Sequence, residues 1–93
     1  MTATRNILQR LLAEIERFES GKASLPDLQG AILGHGHAVD LGNPWRDLVD
    51  RVEGAIDQVR FTVPPDGQAA AVKPFLDELR GAAQRAITAA PGA

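Results

Sequence analysis

Two histidines separated by one glycine form the only cluster in the sequence suited to metal binding or acid–base chemistry. The segment is His35-Gly36-His37, and Asp40 follows it. In an extended segment both imidazoles could bind one metal ion, whereas side chains two residues apart on a helix point to different sides. No third or fourth ligand follows at the spacing of a metal site. We therefore predict no metal site and no cofactor, and an exposed helix end that the glycines soften.

A second group of titratable side chains is acidic and comprises Asp47, Asp50, Glu53 and Asp57. Asp50, Glu53 and Asp57 have i, i+3, i+7 spacing, so a helix carries them on one face, with Asp47 at its edge. Catalytic carboxylates need a cleft that shifts their pKa values, whereas an acidic helix face can steer a basic partner. The alternative is a solvated face, which is typical of charge runs on helices. In that alternative the acidic charge is partly neutralised by the arginines of the same segment, which are Arg46, Arg51 and Arg60.

Trp45 is the only tryptophan and completes the set of candidate partner-binding residues. Tryptophan is enriched in binding hot spots, which makes Trp45 a possible anchor for a partner protein. Its register with the apolar residues Leu48 and Val49 favours the alternative, a place in the hydrophobic core. Both interpretations follow from the sequence, and the register favours the core.

Nucleophilic catalysis is not indicated. Ser20 and Ser24 are the only serines; both are explained by a helix turn, and neither lies in a nucleophile elbow. No glycine-rich phosphate loop follows a strand. An enzyme would need His35 or His37 in a pocket beside a carboxylate from another helix. We therefore predict no catalytic residue and a protein that is not an enzyme.

The charge composition argues against several classes of partner. Among 93 residues, ten Lys and Arg and twelve Asp and Glu give a net charge of −2, and the cations are scattered singly. Nucleic-acid binders instead carry a basic stripe. There is no cysteine, so disulfides, thiolate zinc sites and thiol nucleophiles are absent. Because no signal-peptide core is present and no apolar run approaches the ~18 residues of a membrane helix, we predict a cytoplasmic protein without nucleic-acid or membrane partners.

The elements that must position these side chains are helices, and the clearest boundary between two of them lies at residues 18–28. Apolar residues at helical spacing predict a first helix from about Arg5 to Glu19. Gly21 can take the left-handed conformation that closes a helix. Ser24 is a good N-cap and Asp27 completes a capping box, with Pro26 in the first turn of the second helix.

Three further helices follow this boundary. The second begins at Leu25 and is predicted to fray or end near Gly34, unless its glycines allow close approach of a neighbouring backbone. The third begins with Asn43 as N-cap and Pro44 at its first position, and ends near Phe61. Residues 62–68 are predicted to form a loop. The fourth helix carries apolar residues from 72 to 87, with Pro74 in its first turn or kinking it.

These four short helices, each with one apolar face and brief connections, predict an all-α fold. The expected architecture is an antiparallel bundle in one domain spanning residues 1–93, or a closely related orthogonal array. Residues 1–4 and 89–93 are expected to fray at the two ends.

The segment FESGKASLPDL, residues 18–28, resembles the first helix–turn–helix of small all-helical bacterial immunity proteins, including the colicin D immunity type. Those chains share the pattern F-x-x-G-x-x-S-x-x-x-[LF] after an N-terminal amphipathic helix, and the match covers about a quarter of this chain. The resemblance implies a non-catalytic, stoichiometric inhibitor, or antitoxin, that occupies the basic active-site surface of a toxin domain.

The leading hypothesis is therefore a protein-interaction module, with an immunity or antitoxin role as its sharpest form. Its partner would be a protein and, in the sharpest form, a basic toxin domain that this chain blocks by steric and electrostatic occlusion. The alternative from a different class is a structural or regulatory subunit. Such a subunit would form a homodimer through an exposed apolar strip on the first or fourth helix.

Overall fold

Four helices make up the protein, and the computed structural model describes them over residues 2–89. They are α1 (Thr2–Glu19), α2 (Leu25–Ala38), α3 (Asn43–Thr62) and α4 (Pro65–Ala89). No strand occurs within residues 2–89. Each helix packs against two neighbours in the cyclic order α1, α2, α3, α4. Because the connections span only residues 20–24, 39–42 and 63–64, consecutive helices run antiparallel, and the predicted all-α antiparallel bundle is confirmed.

The core lies on the bundle axis and is aliphatic apart from Trp45 at its edge. Every helix contributes side chains that are at most 1% exposed. They are Leu8, Leu11 and Ile15 from α1; Leu28 and Ile32 from α2; Val49, Val52 and Ile56 from α3; and Val72, Leu76, Leu79 and Ala83 from α4. Burying one such large aliphatic side chain contributes about 1.5–3 kcal/mol, so these stripes fix which face of each helix remains outside.

The connection between α1 and α2 has the structure that its sequence predicts. Gly21 has a φ of 79°, and the N–H groups of Gly21 and Lys22 donate to the carbonyls of Phe18 and Arg17 at 3.0 and 2.8 Å, which is a Schellman motif. Ser24 is the N-cap of α2, with a reciprocal capping box to Asp27. The Ser24 hydroxyl, and next its backbone N–H, lower the pKa of the Asp27 carboxyl by hydrogen bonding.

Helix α2 continues through its glycines to Ala38, so the predicted end near Gly34 is wrong. The alternative, close approach of a neighbouring backbone, is not what is found at Gly36, which is buried against a side chain of α3. A Cβ atom there would lie 2.8 Å from Val49 Cγ1, and the Gly36 carbonyl accepts a 2.8 Å hydrogen bond from Trp45 Nε1. The neighbour is thus the side-chain layer of α3 rather than its backbone.

The N-cap of α3 is Gly42, not Asn43, and no side chain caps the helix. Gly42 has a φ of 86°, a value that favours glycine. Its N–H donates to Asp40 Oδ1 at 3.3 Å and its carbonyl accepts from the Arg46 N–H at 3.2 Å. The left-handed turn at Gly42 therefore moves the start of the helix one residue earlier, so that Asn43 and Pro44 both lie in the first turn.

Helix α4 begins at Pro65, so the predicted loop over residues 62–68 is wrong and only Val63 and Pro64 connect the two helices. Proline at the first helical position needs no N–H donor. The Gly67 N–H donates to the Pro64 carbonyl at 2.9 Å, and Gln68 Nε2 donates to the Val63 carbonyl at 3.0 Å. These bonds start a helix where the dipeptides Pro64-Pro65 and Asp66-Gly67 predict a turn.

Pro74 consequently lies well inside α4 rather than in its first turn. Pro74 and Ala70 are both exposed, so the carbonyl that loses its intrahelical donor can bond to water. Helix α1 begins at Thr2, three residues before the predicted start, and α4 includes Ala89. The fraying expected at Met1 and over residues 90–93 lies outside the described residues.

A helix that crosses a membrane must be both long and apolar. Within residues 2–89, none combines the length and the apolar character that a membrane crossing requires.

Candidate protein-docking face

The four predicted carboxylates lie along α3, and we call Asp47, Asp50, Glu53 and Asp57 the acidic face. Asp47, Asp50 and Asp57 are exposed, and Glu53 is half-buried. The buried stripe of α3 turns this side of the helix away from the core, because the core positions follow the same 3.6-residue period. The acidic face is therefore part of the solvent-facing surface of the bundle, next to α2.

Glu53 and Asp57 are oriented by a buried amide on α2. Gln29 is 7% exposed, and its Nε2 donates to Glu53 Oε1 at 3.1 Å and to Asp57 Oδ1 at 3.4 Å. The Gln29 Oε1 accepts a 2.7 Å bond from the guanidinium of Arg60. A neutral amide holds the two carboxylates in place without cancelling their charge, and each keeps further lone pairs for a partner.

Asp50 contacts the other end of α2. The distance between His37 Nε2 and Asp50 Oδ1 is 3.3 Å, and both side chains are exposed. The contact is an ion pair only when the imidazole is protonated. Asp50 is thus a carboxylate from another helix beside His37, which is one of the features that the enzyme hypothesis requires.

A shallow depression of about 210 Å³ lies beside this contact and is lined by His37, Asp40 and Arg46, among others. Its lining contains no Ser, Thr or Cys side chain. The histidine–carboxylate contact therefore has no neighbouring nucleophile, which a triad would need. Within the described residues, no group of three or more His, Cys, Asp or Glu side chains could hold a metal ion.

Two of the three arginines of α3, Arg51 and Arg60, bond to side chains outside the acidic face. Arg51 donates from Nη1 and Nη2 to the two oxygens of Glu78 on α4, at 2.7 and 3.1 Å. Arg60 donates to the amide of Gln29. Among residues 2–89, no Lys or Arg forms an ion pair with the acidic face, and Arg60 is linked to it only through the amide of Gln29. The docking interpretation and the solvated-face alternative both stay predictions.

Trp45 is 6% exposed and belongs to the core cluster. Its indole N–H is satisfied by the Gly36 carbonyl, which ties the first turn of α3 to the last turn of α2. The core interpretation of Trp45 describes this position, and the residue also lines the open groove between α3 and α4. Its role as an anchor for a partner stays a prediction.

Phe61 is the exposed aromatic residue that sequence reasoning assigned only to a helix end. It is 77% exposed, and it follows Asp57 by four residues, on the same side of α3. The guanidinium carbon of Arg60 lies 5.7 Å from the centroid of its ring, within the range of a cation–π contact. The signal was available in the sequence, because Phe61 is out of register with the buried residues Ile56 and Val59.

An open groove between α3 and α4 lies near the start of α3, at the opposite end of this helix from Phe61. Its volume is about 330 Å³, and its apolar lining residues are Leu41, Pro44, Trp45, Leu48, Ala82 and Ala86. Charged groups line it too, namely the bonded pair Arg51 and Glu78, and Arg85. We call this feature the α3/α4 groove.

Comparison with known proteins finds no matching family model, no matching curated protein and no matching solved structure. The similarity of residues 18–28 to immunity proteins thus stays a prediction. The bundle and the surface of α3 are the observations from which a function can be inferred.

Proposed function

We propose that this chain is a non-catalytic protein-interaction module that binds a cationic partner protein through its acidic face. One observation carries the proposal. Four carboxylates share one side of α3, and no Lys or Arg within residues 2–89 forms an ion pair with any of them. Exposed, unneutralised carboxylates create a negative potential that accelerates encounter with a basic surface and fixes its orientation.

The sharpest form of the proposal is an immunity or antitoxin protein acting in the cytoplasm. In that role the chain would cover the basic active-site surface of a toxin domain by steric and electrostatic occlusion. The resemblance of residues 18–28 and the absence of any nucleophile beside His37 support it. A rigid bundle suits stoichiometric inhibition because little conformational entropy is lost on binding.

Affinity capture with matched charge variants tests this proposal. The wild-type chain, Asp50→Asn with Asp57→Asn, and Glu14→Gln with Glu16→Gln are immobilised and exposed to lysate of the source organism. The two double variants change net charge equally, but the second pair lies on α1, which does not neighbour α3. We expect one stoichiometric partner whose retention falls at least tenfold with the α3 variant and little with the α1 variant. Equal retention by both variants would rule out the acidic face as the binding site.

The homodimer alternative depends on an apolar strip of α1 or α4. Within residues 2–89, the exposed large apolar side chains are Leu33, Leu41 and Phe61, and none of them lies on α1 or α4. Light scattering after size exclusion, over a hundredfold dilution, separates the two hypotheses. A constant monomer mass agrees with a module that needs a different partner, whereas a dimer without any partner would favour the subunit hypothesis.

A further inference from the structure

The exposed side of α3 carries one straight row of residues, which we call the α3 stripe. It consists of Asp47, Asp50, Gly54, Asp57 and Phe61, whose spacing of i, i+3, i+7, i+10 and i+14 keeps them on one side of the helix. A Cβ atom added at Gly54 would meet nothing within 4 Å. The middle of the stripe is therefore flat and open, which allows a partner backbone to approach closely.

The α3/α4 groove adjoins the first residue of the stripe. Pro44 precedes Asp47 by three residues and Arg51 follows it by four, and both line the groove. On the α4 side the wall is formed by the small residues Ala82 and Ala86, which leave room for an incoming side chain. The groove is therefore an apolar receptacle at the N-terminal end of the acidic row.

Phe61 forms a second apolar contact point at the C-terminal end of the stripe. Arg60 lies near the Phe61 ring and is itself bonded to the buried Gln29, so the guanidinium beside this ring is tied to a side chain of α2. Aromatic side chains, Phe among them, are enriched in protein interfaces. Phe61 lies seventeen positions after Pro44, which corresponds to about 25 Å along the helix axis.

We infer that the segment bound to the α3 stripe is a basic amphipathic α-helix of the partner protein. It seats one apolar side chain in the α3/α4 groove and another against Phe61, with Lys or Arg side chains facing the carboxylates between them. The inference rests on the proposed function and specifies its partner. Charge complementarity requires a basic segment. A helix of about five turns spans ~25 Å and presents apolar and basic residues in one row.

The test uses a designed 18-residue peptide as the probe. Leu residues near its two ends are separated by Lys residues on the same face, and a control peptide of equal charge carries a central proline that breaks the helix. Titration into ¹⁵N-labelled protein locates the contact, and fluorescence anisotropy gives the dissociation constant. We expect shifted amide signals along α3 and at residues 82–86, and at least tenfold weaker binding of the proline peptide.

Matched protein variants separate the anchors from the charges. Leu41→Ser, at the groove, and Phe61→Ser should each weaken binding at least fivefold, whereas Leu33→Ser on α2 should not. Leu33 and Leu41 are comparably exposed, at 41% and 37%, so both variants should remain folded, and the thermal unfolding midpoint verifies this.

The outcomes distinguish the inference from the function on which it rests. If Asp50→Asn with Asp57→Asn weakens binding but Leu41→Ser and Phe61→Ser do not, the acidic face binds and the two-anchor helix is overturned. If the proline peptide binds as tightly as the helical one, the helix is overturned as well. Shifted signals on α1 in place of α3 would overturn both the inference and the proposed function.

Discussion

Two groups of carboxylates in this bundle differ in the side chains that contact them. Around the middle of α4, Arg80 bonds to both Glu19 and Asp77, Lys73 to Asp77 and Arg51 to Glu78. On α3 the acidic face contacts an amide and an imidazole instead. The ion-paired carboxylates link α4 to α1 and α3, so their charge is used within the fold, whereas the charge on α3 remains available to another molecule.

Hydrogen bonding within the ion pairs shifts the pKa values of the paired groups. The Arg51 guanidinium lowers the pKa of Glu78, chiefly by hydrogen bonding. The hydrogen bond that Arg80 donates to Glu19 likewise raises the pKa of Arg80. Exposed ion pairs of this type contribute little to stability individually, since water and salt screen them. Their main effect is that an arginine or lysine of the same chain neutralises each of these carboxylates.

The largest expected effect comes from the packing contact between α2 and α3. The acidic face depends on this contact because side chains of α2 hold its carboxylates. Gly36→Ala and Gly34→Ala make the same chemical change on one helix. The new Cβ would lie 2.8 Å from buried Val49 at position 36 and in open space at position 34. Both variants gain helix propensity, so their difference isolates the overpacking. We expect Gly36→Ala to be less stable than Gly34→Ala by about 2 kcal/mol.

Urea unfolding measures that difference. Equal stabilities would mean that α2 and α3 can move apart freely. In that case Gln29 and His37 would not hold the carboxylates in one arrangement, and the contrast between the two surfaces would lose its structural basis.

A smaller effect is expected when one more carboxylate is placed on each surface. Gln29→Glu adds a buried charge beside Glu53 and Asp57, and only Arg60 is near enough to compensate it. Gln84→Glu adds an exposed charge on α4, where Gln84 and Arg80 line the same surface depression. We expect Gln29→Glu to destabilise the protein by about 1–2 kcal/mol at pH 7 and Gln84→Glu to change little.

The pH dependence of Gln29→Glu identifies its cause. Repulsion and burial raise the pKa of the new carboxyl in the folded state, so its cost is present above the unfolded pKa of about 4.3 and disappears as the pH falls below that value. A cost that persists at pH 3 would indicate disturbed packing in place of charge repulsion. Thermal unfolding of both variants between pH 3 and 7 makes the comparison.

The sequence predicts the helices of this protein better than their ends. Apolar periodicity depends on local residue types, so the buried faces follow from it. Asn43 has the right side chain for an N-cap, but the left-handed turn at Gly42 supplies the start of α3. Helix α2 runs through Gly36 because tertiary packing against Val49 outweighs the weak helix propensity of glycine.

The same limits apply to the candidate site. The spacing of Asp50, Glu53 and Asp57 predicts that they share one side of a helix. Which cations neutralise them depends on distances between helices, and the spacing of residues along one helix does not determine those distances. Arg51 faces α4, and Arg60 faces the amide of Gln29, a residue that sequence reasoning did not select. Phe61 is recognisable only once the register of the buried stripe is fixed.

The smallest expected effect, and the most direct measure of the contrast, is the titration of Glu78. Because its pKa is lowered in the folded protein, its contribution to stability is present above the unfolded value of about 4.3 and is lost as the pH falls through the folded pKa. Carboxyl-detected NMR of the folded chain should show Glu78 titrating below that value. In Arg51→Gln the midpoint should rise towards it, because the guanidinium that stabilises the charged form is gone. An unchanged midpoint would mean that the Arg51–Glu78 pair does not persist in solution. Arg51 would then be free to neutralise the neighbouring Asp47, and the proposed separation between a neutralised surface and an available one would fail at the groove, where the two surfaces meet.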